Sequence, residues 1–186
     1  MSKTTDNLQA AFAGESQARN RYTYFARRAA EEGFAQIADI FEETANQECE
    51  HALRFFKFFN GGEMEITAAF PAGVIQGTYE NLVAAADGER FEHTSMYPGF
   101  AAEAEEEGEK EAAMAFKQIA KIEAHHSARY KKLLEMVEAG TVFKREQPIK
   151  WKCGICGYIV EGTEPPAKCP SCKKPREYYE PASLDF

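Results

Sequence analysis

Two tetrads of one pattern, Glu48-Cys49-Glu50-His51 and Glu123-Ala124-His125-His126, fall inside long apolar-rich segments of the 186-residue chain. Residues three apart on a helix project from one face, so each tetrad offers a carboxylate oxygen and an imidazole nitrogen to one point. Glutamate is abundant here, and such pairs arise easily by chance; their weight comes from the spacing to other acids. Glu15 and Glu48 lie 33 residues apart with Gly33 between them, and Glu89 and Glu123 lie 34 apart with Gly108 between them. At about 1.5 Å rise per residue, antiparallel helices turning at each glycine bring the two acids of a pair level. Two αα-hairpins supplying a lone Glu, a Glu-x-x-His, a further Glu and a second Glu-x-x-His approach the ligand set of carboxylate-bridged di-iron and di-manganese four-helix bundles.

The rest of the chain fits two unlike parts. A formal net charge of -8 argues against a nucleic-acid partner, whose binding surfaces are basic. Residues 150–186 carry six Lys/Arg and five Asp/Glu, so the acidic excess belongs to residues 1–149. The start, Met1-Ser2-Lys3-Thr4-Thr5-Asp6, has no apolar leader pattern, and no stretch approaches the roughly 20 apolar residues of a membrane span. A soluble, cytoplasmic protein without membrane contact is the expectation.

Taken in order, residues 5–32 predict a helix with Leu8, Ala11, Glu15, Ala18, Tyr22 and Phe25 on its inner stripe, ended by Gly33. A second helix, about Ala35 to Phe59, buries Ile37, Phe41, Thr44, Glu48, His51, Phe55 and Phe58. Residues 61–73 suit a crossover between hairpins. A third helix runs from about Val74 to Met96 through Leu82, Ala85, Glu89 and Glu92, with Pro98 interrupting or kinking it. A short acidic helical stretch from Phe100 to Glu107 closes at Gly108. The fourth long helix, Lys110 to Ala139, recurs at Phe116, Ile119, Glu123, His126, Tyr130 and Leu133.

After a linker at Thr141 to Lys150, composition changes abruptly. Cys153-x-x-Cys156 and Cys169-x-x-Cys172 form paired loops that suit tetrahedral thiolate coordination of zinc or iron. So short a segment has too little core to fold without a metal. The expected domains are 1–146 and 147–186.

Acids such as Glu31, Glu32, Glu105, Glu106 and Glu107 read as solvated surface. Glu15, Glu48, Glu89, Glu92 and Glu123 share inner faces with apolar residues, where an unpaired charge is expensive. Cys49, about 100° off the Glu48 direction, reads as a packed thiol, and His93 and His125 fall off the ligand stripe. Tyr22, seven residues after Glu15 on the same face, is a candidate partner for a ligating carboxylate or else a core tyrosine with another partner, and Tyr97 near the end of the third helix is a similar candidate. Glu89 and Glu92 together give one carboxylate more than four Glu and two His. Such crowding costs repulsion unless metal or protons absorb it, and the hypothesis it suggests is that one iron exchanges the extra carboxylate for His51 between redox states.

The chain resembles the rubrerythrin family along essentially its whole length. The likeness rests on Gly14-Glu15-Ser16, Glu48-Cys49-Glu50-His51, Glu80-Asn81-Leu82, the run Gly88 to Pro98, Glu123-Ala124-His125-His126, Lys152-Cys153-Gly154-Ile155-Cys156-Gly157-Tyr158 and Cys169-Pro170-Ser171-Cys172. It implies an all-α ferritin-like four-helix bundle with a small C-terminal rubredoxin-like metal-binding domain. It further implies that Glu48 and Glu123 bridge two irons, that Glu15 binds one, and that Glu89 and His126 bind the other. Glu92 is then the oxidised-state ligand that His51 replaces on reduction, Tyr22 and Tyr97 steady carboxylates, and the four tail cysteines hold one iron. The implied activity is reduction of hydrogen peroxide to water. The implied electron source is an external NAD(P)H-dependent reductase or a rubredoxin-type donor, since no convincing Gly-rich dinucleotide fingerprint is present. Homodimers or higher homo-oligomers are implied as well. Two alternatives stay open: a ferroxidase that handles iron, and a non-enzymatic zinc-ribbon interaction module with an empty bundle.

Overall fold

The computed structural model describes residues 2–182; residues 183–186 of the expected second domain lie outside them. Helix α1 (Lys3–Glu31) opens on a Ser2 side chain that accepts from the Thr5 backbone N–H. It turns through Gly33, at φ +85°, into α2 (Ala35–Phe56). Glycine is required there twice over, because an added Cβ would also come within 2.9 Å of the Glu177 side chain in the C-terminal part.

The third helix differs from its predicted span. Instead of beginning near Val74, α3 is Thr78–Phe91, because the Glu32 carboxylate accepts the Thr78 N–H at 2.7 Å and the Asn81 side chain pairs with both backbone groups of Gln76. Those contacts satisfy the first free N–H groups, which are what a helix start must settle. Pro98 does not stop the helix either. A π-helical turn, Glu92–Met96, leads into α4 (Tyr97–Glu106), and the Tyr97 N–H reaches back five residues to the Glu92 carbonyl. The wider turn relieves the clash of a proline ring with the carbonyl four residues back. Helix α5 (Lys110–Glu138) follows Gly108.

These helices form two hairpins joined by a crossover without regular structure at residues 61–77. Their apolar side chains make two separate clusters. One holds Tyr22, Phe25, Ile37, Phe41, Leu82, Tyr130 and Leu133; the other holds Leu8, Phe55, Tyr97, Phe116 and Ile119. On every helix the acidic positions fall between the two sets: Glu15 between Ala11 and Ala18, Glu48 between Ala45 and Phe55, Glu89 between Ala85 and Tyr97, Glu123 between Ile119 and Tyr130. A polar layer is thus clamped between two apolar ones.

Strands β1 (Ile149–Cys153), β2 (Ile159–Gly162) and β3 (Tyr179–Pro181) form an antiparallel sheet in the order β2-β1-β3, with Trp151 opposite Val160 and Pro181. Among the described residues the hydrophobic cluster here is small: Trp151, Cys153, Cys169 and Tyr179. The predicted linker is partly structural: Val142 is buried in the first bundle cluster, and Phe143 stacks on Phe34 at 6.4 Å.

Candidate metal centre

Four helices converge on one buried cluster. Glu15, Glu48, His51 and Glu123 place ligand-type atoms within 4.8 Å of one another, and so do Glu48, Glu89, Glu123 and His126. Glu48 and Glu123 belong to both groups, which is the topology of two ions sharing bridging carboxylates. All six side chains are buried, Glu123 completely. His51 Nδ1 lies 2.9 Å from both Glu48 and Glu123, and His126 Nδ1 lies 2.7 Å from Glu123.

Glu15 Oε2, Glu48 Oε1, Glu89 Oε2, both oxygens of Glu123, and His126 Nδ1 make no well-aligned hydrogen bond; these carboxylate oxygens crowd around the two imidazoles at 2.7–3.7 Å. Four buried carboxylates around a shared volume cost several kcal/mol each unless cations or protons offset their charge, so the arrangement fits divalent cations. Second partners are already in place. The Tyr22 hydroxyl donates to Glu89 and the Tyr97 hydroxyl to Glu15, as the sequence predicted.

Glu92 stands outside both groups. It sits in the π turn, half-buried, in the wall of a cavity beside the cluster. The histidine that the resemblance pairs with it, His51, is the one facing inward. Cys49 corrects the expectation of a packed thiol: it is exposed, on a side of α2 where Leu53 and Phe56 are exposed as well. His125 is exposed as expected.

Sequence reasoning missed Gln47. Its carbonyl oxygen takes His126 Nε2 at 2.9 Å, while its amide reaches Glu43 at 3.3 Å, and Arg129 grips both Glu43 oxygens at 3.0 and 2.8 Å. The Glu43 anion therefore fixes the amide orientation, and the amide fixes the tautomer that turns the Nδ1 lone pair toward the cluster. The signal available was a Glu43-to-Gln47 spacing of one helical turn, indistinguishable from a surface pair without the partner helix.

Without metal the cluster holds protons. Burial, then the nearby Glu48 charge, raises Glu15 and Glu89 well above the usual carboxylate range. Burial, then Glu123 and Glu48, lifts Glu92 to about 8. Burial opposes ionised His126, but Glu123, Glu48 and Glu89 overcome it and carry its pKa up to about 12; His51 is raised for the same kind of reason. Burial likewise opposes ionised Glu48, yet His126 and His51 hold it at about 2. The sign follows from proton counts. Above an unfolded Glu value of 4.5 the native state keeps protons on Glu15, Glu89 and Glu92 that the unfolded chain releases; above 6.5 the same holds for both histidines. The Glu48 contribution is present above 4.5 and is lost only as pH falls toward about 2. The metal-free protein is therefore expected to lose thermal stability steadily from about pH 5 to about pH 9. Calorimetric scans of chelated protein check this, and a melting temperature rising over that range contradicts it.

In the tail, Cys153, Cys156, Cys169 and Cys172 place their sulfurs within 4.8 Å of one another, with Cys153–Cys172 and Cys156–Cys169 pairs at 3.7 Å. The two loops match: the Gly157 N–H bonds the Cys153 carbonyl at 2.8 Å and the Lys173 N–H bonds the Cys169 carbonyl at 3.0 Å, with both residues at positive φ. Burial disfavours a Cys169 thiolate, but the Tyr179 hydroxyl and the Cys172 and Ser171 N–H groups favour it, so the thiol is lowered to about 6. That is the environment of a metal-binding thiolate.

A bundle with paired Glu-x-x-His helices and a four-cysteine tail defines a ferritin-like di-iron protein with a rubredoxin-like domain. The family profile described as Rubrerythrin matches residues 6–134, and that described as Rubrerythrin, rubredoxin-like domain, matches residues 151–180. The chain is 56% identical to a rubrerythrin of Porphyromonas gingivalis, covering all of this chain and 92% of that one. It is 53% identical to a rubrerythrin of Nitratidesulfovibrio vulgaris, covering all of this chain and 97% of that one. A solved structure, the fully reduced state of nigerythrin, superposes with a TM-score of 0.66 at 34% identity, covering 98% of this chain and 88% of that one. The chain belongs to the rubrerythrin family. Among the described residues no helix is long and apolar enough to cross a membrane.

Proposed function

We propose that this protein reduces hydrogen peroxide to water, H2O2 + 2 H⁺ + 2 e⁻ → 2 H2O, with electrons passing through the four-cysteine iron. The observation that carries the reading is the pair of overlapping ligand groups sharing Glu48 and Glu123, in one chain with a thiolate site able to move single electrons. Bound in the bundle, the iron pair supplies two electrons and the positive charge that stabilises developing oxide.

The chain's own residues do the rest. Glu48 and Glu123 would be shared by the two ions, with Glu15 and His51 holding one and Glu89 and His126 the other. Tyr22 and Tyr97 orient the terminal carboxylates through their hydroxyls. Glu92 faces the cavity with a carboxyl raised to about 8, so it holds a proton at neutral pH and is placed to hand it to a departing oxygen. Its exchange with His51 is proposed to accompany the change of redox state. The electron source is an external NAD(P)H-dependent reductase or a rubredoxin-type carrier. A homo-oligomer is proposed, with one chain's tail serving the partner's bundle.

The test is iron content and turnover together. Anaerobically purified protein is expected to hold three irons per chain and to consume peroxide continuously when given an electron donor. One zinc with an empty bundle would favour an interaction module; fast turnover on ferrous ion with the tail cysteines removed would favour a ferroxidase.

Gln47→Leu keeps the size of the side chain but removes the acceptor for His126 Nε2–H. Loss of such an outer partner lowers metal affinity about 10- to 100-fold. Chelator competition on the bundle iron is expected to show a drop of that size, with the thiolate iron unaffected.

A further inference from the structure

A cavity of about 750 Å³ opens beside Glu92, between α1, residues 67–71 of the crossover and the α3–α4 helix. A water molecule takes about 30 Å³ and hydrogen peroxide roughly twice that, whereas cavities of about 300–1,000 Å³ hold organic molecules. The cavity is far larger than the small peroxide needs.

Its volume is maintained by sequence. Gly14, Gly88 and Gly99 lie in its wall, one on each of α1, α3 and α4, and none has a positive φ. Their backbones would accept any residue, and each helical glycine costs about 0.5–1 kcal/mol relative to alanine. A Cβ at Gly14 would meet the Phe70 ring at 3.6 Å, one at Gly88 would meet the Arg21 guanidinium at 3.6 Å, and one at Gly99 would project into open space.

The lining has two chemical faces. Phe70, Phe91, Met96 and Phe100 are apolar, and Arg21 and Glu92 are among the polar lining groups. Arg21 is 8% exposed and its Nε has no hydrogen-bond partner; its guanidinium lies 5.2 Å from the centre of the Tyr22 ring. Among the described residues it makes no ion pair within 4 Å. A buried guanidinium whose Nε–H has no acceptor calls for one from outside. The ligand that satisfies this wall has an apolar body and a short head with an acceptor oxygen.

We propose that the cavity binds organic hydroperoxides of about ten carbons, with the O–O group between Arg21 and Glu92 and the hydrocarbon against Phe91, Met96 and Phe100. The inference rests on the peroxidase reading and extends its substrate class. The balance is ROOH + 2 H⁺ + 2 e⁻ → ROH + H2O: the O–O bond breaks, one oxygen leaves as water and the other stays in the alcohol. The electrons come from the same external donor as for hydrogen peroxide.

The experiment uses full-length, iron-loaded protein with an electron donor, and compares kcat/KM for cumene hydroperoxide and hydrogen peroxide. The unmodified protein is expected to turn over both. Gly99→Leu, filling the open space, and Arg21→Leu, removing the donor, are each expected to lower the cumene-to-hydrogen-peroxide ratio at least tenfold, and Gly99→Ala less. Separately from turnover, the product cumyl alcohol is expected to shift the Met96 methyl resonance saturably in the unmodified protein and not in Gly99→Leu. Turnover of hydrogen peroxide alone, a ratio unchanged in Gly99→Leu, or a Met96 resonance indifferent to the alcohol overturns the proposal and leaves the peroxidase reading standing. No turnover with either peroxide overturns both.

Discussion

Glu123→Gln is expected to empty the bundle of iron and leave the four-cysteine iron in place, taking iron content from three per chain to about one. Glu123 is the most enclosed member of the cluster, at 0% exposure, and it belongs to both ligand groups. Its loss therefore reaches both ions, whereas Glu15 or Glu89 serves one each. The amide matches the carboxylate in size, so the apolar layers on either side keep their packing, but it brings no negative charge and one oxygen instead of two. Peroxide turnover is expected to fall at least about a thousandfold, or about 4 kcal/mol in the barrier. The metal-free variant supplies the control. Without metal, Glu123 is the leading partner of both buried imidazolium groups, and removing one partner of a buried ion pair is destabilising, so the metal-free melting temperature is expected to fall. A variant that kept its bundle iron and its rate would remove Glu123 from the bridging role; one that failed to fold without metal would mean that its charge is needed for packing.

The parts of the fold legible in sequence were those governed by helical period and by local covalent spacing. The 33- and 34-residue separations placed four acids level because straight helices have a fixed rise, and the polar layer between two apolar clusters was implicit in where Glu15, Glu48, Glu89 and Glu123 fall among aromatic residues. The C-x-x-C pairs announced a thiolate site because two loops of that length close on one point. Other features depended on partners distant in sequence. The start of α3 is set by Glu32 from another helix. The continuity past Pro98 depends on a π turn, which has no sequence signature as plain as the proline it accommodates. Gln47 acts on His126 of α5, and Arg21 owes its interest to what it lacks. Glu92 was legible as a surplus carboxylate, but its place in a cavity wall, one step from the cluster, follows from that same π turn.

Cys169→Ser bears on the other half of the machine, and its expected result separates electron delivery from peroxide chemistry. Cys169 is fully buried against Trp151, Cys153 and Tyr179. A serine hydroxyl there stays protonated and is a hard donor where a soft thiolate is needed, so the thiolate iron and its visible absorption are expected to be lost. With a core this small, metal binding supplies most of the folding free energy: about 10–16 kcal/mol for comparable small thiolate-metal domains, against a few kcal/mol from burying Trp151 and Tyr179. Strands β1 to β3 are then expected to lose amide exchange protection, while amides of α1, α2 and α5 keep theirs because both bundle clusters are intact. Continuous peroxide consumption driven by an external donor is expected to fall about a hundredfold or more, about 3 kcal/mol in the barrier. A bundle first reduced chemically still consumes one peroxide per iron pair, because those two electrons are already in place. Undiminished continuous turnover in Cys169→Ser would mean that electrons reach the bundle by another route, and loss of the single stoichiometric turnover would mean that the tail shapes the bundle site itself.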